Sequence, residues 1–282
     1  MGDQNLAVQQ AANTALAAAQ DYGDYAGAGF DNQTTDDMSI PFLGLLQDLS
    51  PEVKKGADKI AGAEVGMMIN TVTKELFDGE KDGVIFQPCD TNHVFVEWKP
   101  RNQGGGFVAV HQIDSPIVAD AKAKAEKFGK YKTPAGNDLI ETFYIAGILH
   151  RSANLEEQLG NTPEPMLIAF TSTKIKAYKA IMTRLRTFKG KPPMFAHRIL
   201  IKTKTETNAE GTFANFVVTP AVENNVEKSL IPSRMGEETN PLLVQGAELL
   251  KAYRSGLVQV KHEQGGDAGN GGGGAKGDNP PF

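Results

Sequence analysis

The chain has 282 residues, of which 40% are hydrophobic, and its formal net charge at pH 7 is −5. This length and composition exclude a largely disordered chain and fit one substantial globular domain or two small ones. No apolar run is long enough to cross a membrane, no secretion signal is recognisable, and the single Cys89 cannot form an internal disulfide, so we expect a cytoplasmic protein without membrane contact.

Residues 1–39 form an acidic arm that contains six aspartates and no lysine or arginine. The arm is rich in Ala, Gln, Asn and Gly and has almost no apolar stripe with which to dock, so we expect it to be disordered. Order is predicted to begin near Ile40. The apolar segment 39–49 (SIPFLGLLQDL) is predicted to form a helix that starts at Pro41 and stops before Pro51.

Alternating apolar residues separated by Gly, Asn and Pro then predict a series of strands. The predicted strands are 67–76, 84–89, 93–99, 106–113, 139–151, 166–171, 196–205 and 212–219. In the strand at 94–99, Val94, Val96 and Trp98 share one face, and Phe95 on the other face is predicted to be exposed beside Glu97. Strands of this kind belong to an antiparallel sheet or barrel.

Three segments are predicted to be helical, at 117–131, 173–188 and 241–253. The second has the clearest pattern, with Ser172 or Thr173 as the N-cap. Its apolar residues recur at helical spacing, and they are Ile175, Tyr178, Ile181, Met182, Leu185 and Phe188. Its lysines and arginines are therefore predicted to lie on or beside the solvent face.

The charge is distributed unevenly along the chain. Residues 1–39 and 263–282 together hold nine acids and one lysine, which leaves 28 basic and 25 acidic residues between them. Residues 165–205 contain no acid and ten bases, which are Lys174, Lys176, Lys179, Arg184, Arg186, Lys189, Lys191, Arg198, Lys202 and Lys204. A charge run is most often a solvated face, but ten bases without one acid favour a site for a polyanion.

Single-stranded nucleic acid requires cations for its phosphates and aromatic faces for its unstacked bases. The predicted phosphate ligands are the ten bases together with Lys99 and Arg101. The predicted stacking residues are Phe95, Trp98 and Phe107, although an aromatic residue taken singly is more often part of a core.

Motifs for catalysis or metal binding are not recognisable. Cys89 and His93 are four residues apart but have no second pair to complete a zinc site, and the glycines at 104–106 are not followed by a phosphate-binding helix. The sequence also contains no GxSxG and no HExxH. We therefore expect a protein that is not an enzyme and has no metal or cofactor. A nuclease with an unrecognised site remains an alternative.

The chain ends in a glycine-rich segment, GGDAGNGGGGAKGDNPPF at 265–282. Glycine at this density predicts a flexible tether. The tip, which consists of Asp278, Pro280, Pro281 and Phe282, has the form of a peptide ligand held on a stiff stub. A frayed terminus is the alternative interpretation.

A basic, strand-rich middle followed by a Gly-rich tail that ends in Pro-Phe resembles the single-stranded DNA-binding proteins of bacteria and their phages. The resemblance implies a mainly β (α+β) fold, an OB-like antiparallel barrel or sheet with a few helices and disordered tails. It divides the chain into an arm at 1–39, a nucleic-acid-binding domain at 40–262 and a tail at 263–282. In this tip Asp278 stands alone, whereas the family usually shows a run of acids.

The resemblance also implies a function. The protein would bind single-stranded DNA without sequence preference in replication or recombination, in the host cytoplasm if a phage encodes it. The tip would dock replication or recombination proteins, and a homo-oligomer is compatible with this role. A virion structural or assembly-associated protein is the alternative function.

Overall fold

The computed structural model describes residues 40–151, 154, 157–158, 163–208, 211–223 and 226–255. The acidic arm, the glycine-rich tail and the tip residues Asp278, Pro280, Pro281 and Phe282 lie outside them. The strands are β1 (Leu43–Leu45), β2 (Met68–Asn70), β3 (Leu76–Phe77), β4 (Val84–Trp98), β5 (Phe107–Gln112), β6 (Tyr131–Lys132), β7 (Asp138–His150), β8 (Glu164–Thr171), β9 (Ile199–Asn208), β10 (Gly211–Pro220), β11 (Val222–Glu223), β12 (Val226–Glu227), β13 (Arg234–Met235) and β14 (Glu238–Thr239). The α-helices are α1 (Pro116–Ala123), α2 (Ile175–Thr187) and α3 (Pro241–Arg254).

Strands β4 and β7 form the spine of a seven-stranded antiparallel sheet. They pair from Ile85 opposite His150 to Trp98 opposite Asp138, with one irregularity between Pro88 and Asp90. Along the edge of β4 that does not pair with β7, β9 pairs with the first residues of β4 and β5 pairs with the last residues of β4. Along β7, β6 pairs near the start and β8 near the end. The hairpin of β9 and β10 completes the sheet.

The fold is mainly β, with antiparallel sheets and α-helices, as the sequence predicted. The prediction left a barrel or a sheet open, and within the described residues no barrel closes. The hydrogen-bonded order runs β10-β9-β4-β7-β6, so its first and last strands lie at opposite ends and do not pair. A smaller sheet of β1, β2 and β3 packs beside the large one.

Helices cover both faces of the large sheet. The α2 face of the sheet carries Phe143 and Ile145, which pack against α2. The α3 face carries Tyr144 and Ala146, which belong to the cluster containing Leu249 of α3. Successive residues of β7 thus enter different cores, so the sheet lies inside the protein and not at its surface.

The prediction that Phe95 is exposed is wrong. The pattern at 94–99 suggested one buried and one solvent-facing side, but Phe95 is 0% exposed. The α1 helix covers it, with Val118 and Ala121 in the same cluster. Glu97 on that face is also buried, because hydrogen-bond donors surround its carboxylate.

The prediction of a helix at 39–49 is also wrong, since residues 43–45 form β1. Leu43 pairs with Asn70 of β2, and the backbone N–H of Leu167 donates to the carbonyl of Pro41 over 2.9 Å. A short apolar run does not distinguish a buried strand from a buried helix. Strand partners far away in the sequence decide the conformation here.

The other predicted helices are present. Helix α2 follows a 3-10 turn (Ser172–Lys174) and buries Tyr178, Ile181, Met182 and Leu185 as its pattern indicated. Helix α3 begins at Pro241, where the side chain of Asn240 accepts a hydrogen bond from the N–H of Leu242 over 3.0 Å. Helix α1 ends at Ala123, well before the predicted residue 131, and the chain turns at Gly129 (φ +84°) before it enters β6.

Candidate functional site

The basic block between residues 165 and 205 does not form one groove, because two of its ten bases are buried. Arg198 is 0% exposed. Its guanidinium donates to the carbonyl of Lys228 from Nε over 3.0 Å and from Nη2 over 2.7 Å, and to Oε1 of Gln158 over 3.4 Å. It therefore anchors the segment at residue 228, and the prediction that Arg198 contacts phosphate is wrong.

Lys174 is the second buried base. It ends the 3-10 turn before α2 and is 6% exposed. Burial lowers the pKa of its ammonium group to about 8. The predicted place of Lys174 on the solvent face is wrong, because the turn that precedes the helix points this side chain inward.

Three further bases of the block are engaged by neighbouring groups. Arg184 forms an ion pair with Glu227 over 2.8 Å, and Lys204 forms one with Glu206 over 2.6 Å. The ammonium group of Lys202 donates to the carbonyl of Lys81 over 2.8 Å. Arg184 and Lys204 therefore contribute less to the surface field than a count of charges implies, and Lys202 keeps its charge but is tied to the backbone.

The remaining five bases of the block are exposed. Lys176, Lys179 and Arg186 are exposed on α2, and their spacing places them within an arc of about 80° around the helix axis. Within the described part of the chain, no carboxylate pairs with these three. We call them the α2 cationic stripe. The exposed Lys189 and Lys191 follow directly after the helix.

A row of aromatic rings lies beside the α2 cationic stripe on the same face of the sheet. The ring of His93 stacks on Phe143, with centroids 3.9 Å apart and planes at 17°. Phe143 in turn lies 4.5 Å from the ring of Tyr178 on α2. The ammonium group of Lys179 lies 5.9 Å from the centroid of Phe143, which places one cation of the stripe over this row.

Glu141 fixes the position of the His93 ring. Its Oε1 lies 3.0 Å from Nε2 of His93, and the side chains of His93 and Glu141 are 32% and 24% exposed. We call His93, Glu141 and Phe143 the His93 platform. The ammonium group of Lys122 on α1 lies 4.6 Å from the centroid of Phe95. Lysines of α1 and α2 thus lie over the two phenylalanine rings that neighbour His93.

A second histidine–carboxylate pair on this face has a structural role. Nε2 of His111 lies 2.7 Å from Oε2 of Glu97, and the other oxygen of Glu97 accepts from Asn137 over 2.7 Å and from Thr133 over 3.2 Å. Burial by itself would raise the pKa of the Glu97 carboxyl, but these hydrogen bonds together hold it below its ordinary value. The cluster ties the turn between β6 and β7 to the sheet.

Two of the predicted stacking residues lie across the sheet from the cations. Trp98 and Phe107 contact each other edge to face, with centroids 5.9 Å apart, and pack against the core on the α3 face. Lys99 is exposed beside them, and the side chain of Arg101 is outside the described part of the structure. The predicted group of Phe95, Trp98 and Phe107 is therefore not brought together with the basic block.

Comparison with known proteins identifies the family. The model of the Pam3 phage gp34-like protein family matches residues 9–231, which is well over half of the chain. The chain belongs to this phage protein family. No curated protein and no solved structure matches it.

The match to the Pam3 phage gp34-like family spans both the α2 cationic stripe and the His93 platform, and it ends before α3 and the tail. Among the described residues, no group of His, Cys, Asp and Glu is arranged to hold a metal ion. No helix in the same part of the chain is long and apolar enough to cross a membrane.

Sequence reasoning missed His93, Glu141, Phe143 and Lys122. The available signal was a polar residue beside apolar ones on the same face, since Glu141 lies between Leu139 and Phe143 on β7 and His93 lies next to Phe95 on β4. Their contact depends on the register of two strands that are about fifty residues apart along the chain. That register is not readable from either strand by itself.

Proposed function

We propose that this phage protein is a non-enzymatic, sequence-independent single-stranded DNA-binding protein that acts in DNA replication or recombination. The α2 cationic stripe is the observation that carries the proposal, because three exposed cations, none of which forms a salt bridge with a described residue, follow one side of a helix. Lys189 and Lys191 extend the stripe past the end of α2. The membership of a phage protein family supports only the phage association in this proposal.

Phosphate contacts would supply most of the binding free energy. Three stripe residues and the two lysines after them give five exposed cations. At about 0.7 per phosphate contact for a single strand, log K should fall against log salt with a slope of roughly 3 to 4. Binding of this kind is insensitive to base sequence to first order.

Preference for a single strand follows from the rings beside the cations. The His93 platform belongs to the sheet, and α1 and α2 pack on the same face. A flexible strand with unstacked bases can bring a base to this surface while its phosphates contact the lysines. A duplex presents its phosphates but keeps its bases stacked inside, so it would gain only the electrostatic part.

We propose further that the tip binds replication or recombination proteins. Asp278, Pro280, Pro281 and Phe282 would be the docking residues, and the glycines before them would set the effective concentration of the bound partner. The tip lies outside the described residues and outside the family match, so this part of the proposal depends on the sequence.

Binding of a labelled thymidine oligonucleotide and of a duplex of equal length tests the DNA proposal, with fluorescence anisotropy as the measurement. The stripe variant changes Lys176→Gln, Lys179→Gln and Arg186→Gln. A matched control variant removes the same charge at three exposed lysines of the loop between β1 and β2, by Lys54→Gln, Lys55→Gln and Lys59→Gln.

We expect the wild type to bind the single strand more tightly than the duplex, and the stripe variant to lose most of this affinity while the control variant retains it. Equal affinity for both forms of DNA would favour the virion structural or assembly-associated function. Degradation of the oligonucleotide by the purified protein would instead indicate a nuclease.

A further inference from the structure

The partly exposed His93 ring lies next to a carboxylate. One side of the ring stacks on Phe143 at a centroid distance of 3.9 Å, and Phe143 is 8% exposed. Only one oxygen of Glu141 is used by the imidazole, at 3.0 Å. Both side chains of the pair remain partly open to solvent, at 32% for His93 and 24% for Glu141.

We propose that the His93 platform is a subsite for one nucleobase, which stacks on the imidazole of His93 while Glu141 accepts a hydrogen bond from an amino group on the base. This inference rests on the proposed function and names the part of the site that contacts a base. Imidazole rings are among the side chains on which unstacked bases stack. The hydrogen bond to Glu141 holds the imidazole in place, so stacking would cost little side-chain entropy.

The position of Glu141 decides which bases the subsite accepts. A carboxylate offers only acceptors, and the amino groups of cytosine, adenine and guanine are donors. In thymine, two carbonyl oxygens flank the single N–H, and both repel a carboxylate. The subsite should therefore favour bases that carry an amino group over thymine. This is a local preference within a binding mode that the phosphates otherwise make insensitive to sequence.

The two lysines beside the platform complete a nucleotide site. Lys179 of α2 lies 5.9 Å from the centroid of Phe143, and Lys122 of α1 lies 4.6 Å from that of Phe95. The centroid of Phe95 is 6.1 Å from that of His93, so each lysine lies over a ring that neighbours His93. A base on His93 would place its neighbouring phosphates toward these two cations. The negative charge of Glu141 by itself repels phosphate. A hydrogen bond from a base to this carboxylate would give Glu141 a favourable role in binding.

Competition between deoxycytidine and thymidine homo-oligonucleotides of equal length tests the subsite, with affinity read by fluorescence anisotropy. Three variants separate the contributions, namely His93→Ala, His93→Phe and Glu141→Gln. Glu248→Gln is the matched control, since it removes one exposed carboxylate from α3 on the other side of the sheet. Thermal unfolding of each variant identifies loss of affinity that is due to loss of the fold.

We expect the wild type to bind the deoxycytidine strand roughly five- to tenfold more tightly than the thymidine strand. Glu141→Gln should reduce this ratio to that of a site that does not distinguish cytosine from thymine, and Glu248→Gln should leave the ratio unchanged. His93→Ala should weaken binding of both strands by roughly fivefold or more without changing the salt slope, and His93→Phe should restore much of the loss.

The results separate the failure of the subsite from the failure of the proposed function. If the wild type binds single strands but Glu141→Gln keeps the same ratio and His93→Phe binds no better than His93→Ala, the subsite is overturned and the DNA-binding function stands. If the wild type binds no oligonucleotide, the function and the subsite are both overturned.

Discussion

His150 should make the protein lose stability in mild acid. The residue is 5% exposed at the end of β7, and its Nε2 lies 3.1 Å from Oε1 of the buried Gln87. Burial, and after it the nearby charge of Arg198, lowers the pKa of the His150 imidazole from 6.5 to about 4. The neutral ring is therefore built into the core next to a cation.

The direction of this change in stability follows from the pH at which the unfolded and the folded chain each bind a proton at His150. The unfolded chain takes up a proton near pH 6.5, whereas the folded chain resists protonation until about pH 4. The stability that depends on neutral His150 is thus complete above about pH 6.5 and is lost as the pH falls. The expected loss is about 2 kcal/mol at pH 5 and about 3 kcal/mol at pH 4.

Urea unfolding at several pH values between about 7.5 and 5 measures this loss. The variant His150→Gln keeps a polar partner for Gln87 but does not titrate, so its free energy of unfolding should depend much less on pH than that of the wild type. His197 is also buried with a lowered pKa because of burial, and it contributes a smaller loss of the same sign. The reasoning is refuted if the wild type and His150→Gln lose the same free energy over this range.

Three further predictions concern residues that the sequence assigned to binding. Arg198→Met should lower the free energy of unfolding by about 2–4 kcal/mol, as measured by urea unfolding, because the carbonyl of Lys228 loses its charged donors. The folded fraction of this variant should keep its DNA affinity, as measured by fluorescence anisotropy. The double change Lys202→Gln and Lys204→Gln should weaken DNA binding less than the stripe variant, since both lysines already have partners; equal losses would contradict this. Deletion of residues 278–282 should leave oligonucleotide affinity equal or tighter and abolish partner capture, and a tenfold weaker DNA affinity would count against the docking role.

Much of the fold was predictable because its elements have strong local patterns. Ile199 and Ile201 alternate along β9 and are both 0% exposed, as the sequence indicated. The apolar spacing in α2 predicted its buried side correctly. Patterns of this kind predict which residues of a helix or strand face a core when only one side of the element is buried.

The sequence was less informative about the second face of the central sheet. Phe95 and Glu97 alternate with valines, and nothing in the strand indicates that α1 covers Phe95 or that Thr133 and Asn137 enclose Glu97. The same limit applies to Arg198, which alternates with Ile199 as a surface residue would but is enclosed by the segment at residue 228. Burial of a polar residue depends on partners that are distant in the sequence.

The candidate site was predictable in part. The α2 cationic stripe lies within the stretch without acids, but only five of the ten bases in that stretch are exposed without a salt bridge or hydrogen bond of the side chain among the described residues. Charge counting does not show which lysines have partners. The His93 platform was not found at all, because it depends on the register between β4 and β7.

The salt dependence of single-strand binding tests the central claim most directly. We predict that the stripe variant, which lacks three cations, shows a slope of log K against log salt that is smaller than that of the wild type by about 2, at roughly 0.7 per lost contact. The control variant at residues 54, 55 and 59 should keep the wild-type slope. Identical slopes for the stripe variant and the wild type would place the DNA elsewhere on the protein and contradict the account.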